Sequence, residues 1–164
     1  MDVYKINQWA NSDTRHLQYL FELSHSASDA VAFNALWCMT HLGASNSGWL
    51  QSLQSDLIDM LLVERHVGKR RMLLQLLRNQ SYSPDNIRTD FLDFCFSRIN
   101  AESEPYAIRA FSIYCAFNVC KYYPELLAEL NEHLNMLEYQ PLSAGLVSAL
   151  RQTRKNVTKC LSTH

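Results

Sequence analysis

The chain is short of the two residues that punctuate turns. Its 164 residues include four Gly and four Pro, where average usage of roughly 7% and 5% would supply about twenty together. That shortage excludes turn-dense sandwiches, barrels and propellers, and a glycine-rich phosphate loop. It favours long helices with short joints. Long apolar stretches are missing too. None exceeds five residues, as in Ala35 to Met39, against about twenty for a membrane-spanning helix, so no membrane is expected as a partner. The start, Met1-Asp2-Val3-Tyr4-Lys5, has no basic opening followed by an apolar run. No signal peptide is expected, and the predicted location is cytoplasmic.

Catalytic and metal-binding patterns are equally scarce. The histidines form no His-x-x-x-His or His-Glu-x-x-His. Glu22 and His25 make one Glu-x-x-His step, where a di-iron bundle needs two such steps and two further Glu. There is no Gly-x-Ser-x-Gly and no Gly-x-Gly-x-x-Gly. Asp90 and Asp93 lie one helical turn apart and read as solvated surface. Cys38, Cys95, Cys115, Cys120 and Cys160 are odd in number and include no Cys-x-x-Cys. They read as reduced thiols acting as small hydrophobes. Catalytic residues, metal ligands and cofactors are therefore all expected to be absent.

What is present is helical periodicity. With 48% hydrophobic residues, the chain can bury about 70% of its unfolded surface, enough for a single domain over 1–164. Leu50, Leu53, Leu57 and Leu61 step by three and four, as do Leu127, Leu130, Leu134 and Leu137. Each set puts an apolar stripe on one helix face. Pro84, Pro105, Pro124 and Pro141 read as helix starts, with Ser83, Glu104 and Gln140 before three of them as caps. Gly43 reads as a left-handed helix stop. The expected helices are about 13–24, 28–42, 47–62, 65–79, 84–100, 104–121, 124–138 and 141–157. They pair as 13–42, 47–79, 84–121 and 124–157, with 158–164 as a short tail.

A repeat decides between a bundle and a stack of hairpins. Shifted by 77 residues, Ala30-Val31 meets Ala107-Ile108, Trp37-Cys38 meets Tyr114-Cys115, and Leu50, Leu53 and Leu57 meet Leu127, Leu130 and Leu134. Val67 lies 36 residues after Val31 and 41 before Ile108. A helix pair recurring at this period is the mark of an α-solenoid, an all-α superhelix of about four stacked antiparallel hairpins.

Asp29-Ala30-Val31-Ala32-Phe33-Asn34-Ala35-Leu36 resembles the second helix of a HEAT repeat, which reads Asp, spacer, Val-Arg, then Ala and Leu. Glu104-Pro105-Tyr106-Ala107-Ile108-Arg109-Ala110-Phe111 is closer, because it has the Arg. Ala32 and Gly68 depart from the pattern at that place. The stretch from Tyr106 to Val157 is similar to the C-terminal half of short bacterial HEAT-like proteins. A HEAT/armadillo-type resemblance implies that the first helix of each pair (A) lines a convex face and the second (B) a concave one.

Near-neutral net charge then hides a split. Across the predicted A helices, three bases face eleven acids. Across the B helices with Lys159, eleven bases face two acids, Asp29 and Glu104. A basic concave face would attract an anionic partner. The expected binding residues are Arg70, Arg71, Arg78, Arg109, Arg151, Arg154 and Lys155, with Trp37 and Tyr114 as aromatic anchors. The expected function is a non-catalytic scaffold module binding a protein, or an acidic or phosphorylated segment. The alternative is a DNA-binding protein related to HEAT-like enzymes that excise alkylated bases. A second copy is a further candidate partner, because the first helix pair and Trp9 are weak caps. The structural reading of the split is a set of A-to-B salt bridges. Reversal of Arg70, Arg71 and Arg109 is expected to abolish anion binding and leave the fold intact; unfolding would mark the charges as structural.

Overall fold

The computed structural model describes residues 2–163, and helices dominate it. In chain order they are α1 (Val3–Ser12), α2 (Thr14–Leu23), α3 (Asp29–Thr40), a 3-10 turn (Ala44–Asn46), α4 (Ser47–Ser52), α5 (Gln54–Val63), α6 (Val67–Arg78), α7 (Thr89–Ile99), α8 (Tyr106–Cys120), α9 (Pro124–Leu137) and α10 (Ala144–Leu161). No strand occurs among the described residues. The chain is an all-α protein of the solenoid class.

Contacts gather into two compact units, Met1–Gln80 and Ser81–His164. In the first, α2 packs on α3, α5 on α6, and the two hairpins meet through α3 and α6. In the second, α7 packs on α8 and α9 on α10, while α8 lies against α10 and α7 against α9. The 77-residue offset holds for the helices themselves. It carries the start of α3, Asp29, onto that of α8, Tyr106. It also carries Ser47 of α4 onto Pro124 of α9, and Val67 of α6 onto Ala144 of α10. Leu36, Met39, Leu57, Leu61, Leu73 and Leu77 fill the first core, and Phe91, Ile99, Ile108, Ile113, Leu127 and Leu134 the second. Each such side chain contributes about 1.5–3 kcal/mol on burial.

Several sequence expectations are corrected. Helix α1 was not anticipated, because only Ile6 and Ala10 turn inward. Its anchorage is polar instead. Asn7 Nδ2 donates to the His41 carbonyl at 2.9 Å, Gly43 N–H donates to Asn7 Oδ1 at 2.6 Å, and Asn46 donates to Asn11 at 2.9 Å. Gly43 has φ −75°, an ordinary extended value, so it is no left-handed stop. The single helix expected over 47–62 breaks at Leu53. There the Ser52 hydroxyl takes the Trp49 carbonyl and the Gln80 amide takes the Leu50 carbonyl, which competes with the helical ladder.

Only Pro124 stands inside a first turn, and Pro105 immediately precedes one. Pro84 lies five residues before α7. Buried Tyr82, stacked on Phe91, and the Tyr123 hydroxyl on the Pro84 carbonyl (2.6 Å) hold that segment as a loop. Pro141 sits in a joint, and α10 starts three residues on, where Ser143 Oγ accepts from Leu146 N–H at 3.2 Å. Ser83, Glu104 and Gln140 cap no helix. Ser83 accepts from Asp85 N–H, and the other two hold arginines. Helix α10 runs on to Leu161, into the expected tail.

Candidate interaction surface

In the first unit the B layer is α3 and α6. Helix α6 begins at Val67 because the His66 ring accepts the Lys69 N–H at 3.2 Å. Lys69, counted among the layer's bases, is only 8% exposed. Its ammonium lies 2.8 Å from Asp29 and 2.9 Å from Glu64. Burial pushes the Lys69 ammonium down, but the two carboxylates outweigh it and hold it above its ordinary value. Lys69 in turn holds Asp29 below the usual carboxylate range. Burial pushes Glu64 up, yet the His66 N–H, Lys69 and the Arg65 N–H together hold it below that range. Arg70 and Arg78 are half-buried on α6, and Arg71 is exposed. Trp37 is half-buried on α3, with its ring 4.1 Å from that of His41.

In the second unit the B layer is α8 and α10. Arg109 is 2% exposed. Its Nε donates to the Ile99 carbonyl at 2.9 Å and its Nη2 to Gln140 Oε1, so the side chain joins the end of α7 to the joint before α10. A bound segment has no access to it. Arg109 therefore leaves the expected binding set, and its reversal would damage the fold. Arg154 is half-buried. It bonds Glu138 and, at 2.8 Å, Asn135 Oδ1, clamping α9 to α10. This is one A-to-B bridge of the kind the structural reading of the split requires. Tyr114 is half-buried on α8.

Arg151, Lys155 and Lys159 differ from these. All three are exposed on α10 at four-residue steps, about 6 Å apart along the axis. None has an ion pair among the described residues. Helix α10 carries no acid at all. The two acids at B-helix starts are both engaged: Asp29 on Lys69, and Glu104, 7% exposed, on Arg98 at 2.9 Å. The charge split is thus part scaffold and part open surface, and the open part is densest on α10.

The chain matches the HEAT repeat domain family over residues 1–160. It belongs to that family. No curated protein and no solved structure matches it. Arg109, the residue that resembles the arginine of the repeat pattern, is here a buried tie between helices. The sequence could have signalled this, since it matched Arg109 to a repeat position while also counting it as surface charge. Lys159, outside the expected binding residues, lies within α10 because the helix runs on to Leu161, past its predicted end at 157. No described group of three or more His, Cys, Asp or Glu could hold a metal ion. No described helix is long and apolar enough to cross a membrane. Cys95, Cys115 and Cys120 are buried; burial pushes the Cys95 thiol well up and that of Cys120 up to about 12.

Proposed function

We propose that this HEAT protein is a non-catalytic interaction module whose last B helix, α10, binds an acidic protein surface. Arg151, Lys155 and Lys159 of α10 form the contact. The observation that carries the reading is the run of exposed bases on a helix without acids, beside Lys69, Arg109 and Arg154, which are spent on structure. Exposed cations at this spacing attract an anionic face and set its register more than its affinity.

The test is titration of a labelled poly-glutamate peptide, with duplex DNA in parallel, at several salt concentrations. The peptide is expected to bind, and Arg151→Glu with Lys155→Glu is expected to weaken it at least about tenfold with an unchanged melting curve. Equal affinity in the double variant would overturn the reading. A steep salt slope with DNA and no peptide binding would replace it with nucleic-acid binding.

A further inference from the structure

We infer that the occupant of the α10 bases is the α9 face of a second copy of this chain. The inference rests on the interaction reading above and names its partner. Helix α9 exposes Glu125, Glu129 and Glu132 and contains no Lys or Arg. Steps of four and three keep them on one side of the helix. None of the three takes part in an ion pair among the described residues. Met136 and Tyr139 continue the same line and are 57% and 90% exposed. Helix α10 presents the reverse: three bases, then Ser148 and Gly145 toward its start, all exposed.

The two lines have equal length. Glu125 to Tyr139 and Gly145 to Lys159 are each 15 residues long. Laid antiparallel, Glu125 meets Lys159, Glu129 meets Lys155, and Glu132 falls opposite Gln152, one residue from Arg151. Met136 then falls on Ser148 and Tyr139 on Gly145. The small residues lie where the two apolar side chains need room, and around Gly145 a Cβ would meet nothing within 4 Å. Exposed ion pairs alone contribute little to association. The covered Met136 and Tyr139 supply the apolar part, and the charges fix the register. Arg154, already bonded to Glu138 and Asn135 within one copy, leaves both stripes free for the partner.

Sedimentation of the full chain tests this. The wild type is expected to associate at about 0.01 M salt, where charges act over roughly 30 Å, and to separate near 1 M, where that reach is roughly 3 Å. A variant carrying Arg151→Glu, Lys155→Glu and Lys159→Glu should be monomeric. So should one carrying Glu125→Lys, Glu129→Lys and Glu132→Lys. Mixed one to one, the two variants should associate with each other, because every stripe of one then opposes every stripe of the other. A wild type monomeric at low salt, or folded variants that ignore each other, overturns the inference. If that happens while poly-glutamate still binds through Arg151 and Lys155, only the second copy is lost and the interaction reading stands. If the peptide fails as well, both fall.

Discussion

The two units share a backbone plan and fill it differently. The 77-residue offset matches Gly68 to Gly145, each the second residue of its helix. At Gly68 a Cβ would stand 3.1 Å from the ring of Phe33. At Gly145 it would meet nothing, and the residue matched to Phe33 is Ala110. The next position is Lys69 in one unit, held by Asp29 and Glu64. In the other it is Leu146, fully buried. The arginine of the HEAT pattern is Ala32 in the first unit and the buried tie Arg109 in the second. The first unit joins its hairpins with an ion triad and a ring laid on a glycine. The second uses a guanidinium on neutral acceptors and an apolar contact. The repeat specifies the slot, and each copy satisfies the slot with its own neighbours.

The largest effect is expected at Arg109. Arg109→Ala strands the Ile99 carbonyl and Gln140, each losing a bond from a charged donor. Such bonds contribute about 1.5–3 kcal/mol each, so the change should cost about 3–6 kcal/mol. Urea unfolding measures it. A cost under about 1 kcal/mol would mean that the second unit tolerates an alanine there as readily as the first tolerates Ala32.

Gly68→Leu comes next. Forcing a side chain against Phe33 should cost about 1–3 kcal/mol. Combining it with Phe33→Ala puts at 33 the alanine found at Ala110, opens room for the new side chain and should restore much of the loss. A double variant no more stable than the single would show that the Phe33 ring is not what Gly68 accommodates.

These two sites also show what the sequence made legible. The helices, their pairing and the 77-residue repeat follow from apolar spacing, because burial on one helix face dictates that spacing. A glycine with no turn to serve is a sequence signal for close approach, and Gly68 shows one. Gly145 carries the same signal without the approach, since nothing in local sequence says that the facing residue is Ala110 rather than an aromatic. Helix α1 stayed hidden because asparagine amides and backbone groups hold it, and such bonds leave no periodic trace. For the surface, sequence assigned the bases to layers by the predicted helix bounds. It could not separate Lys69, Arg109 and Arg154 from Arg151 and Lys155, because partners such as Ile99 O and Glu138 become neighbours only on folding.

The ion triad gives the first unit a pH dependence that Leu146 cannot give the second. Asp29 and Glu64 are held below the usual carboxylate range. Their contribution is complete above the unfolded carboxylate range and is lost as pH falls through the lower folded values. Lys69, held above its ordinary value, contributes fully below the unfolded lysine range and loses its contribution at higher, strongly alkaline pH. Glu64→Gln keeps an oxygen for the His66 and Arg65 N–H groups and removes the charge. It should flatten the acid side of the urea midpoint against pH by lowering the neutral value toward the acid one. An acid limb as steep as that of the wild type would place the titrating group elsewhere.

The smallest expected effect has the opposite sign. Gly145→Ala adds a methyl where a Cβ meets nothing within 4 Å, in the first turn of α10. The helix gains up to about 1 kcal/mol from the lower backbone entropy of alanine in the unfolded chain. Gly68→Ala gains the same backbone term but meets the Phe33 ring at 3.1 Å, so its net change should fall below that at Gly145. The difference between these two alanines, measured in one chain at matched helix positions, reports what the Phe33 and His66 rings contribute together. Equal shifts would mean that both rings yield without cost, and the distinction drawn between the two joints would then reduce to their charges.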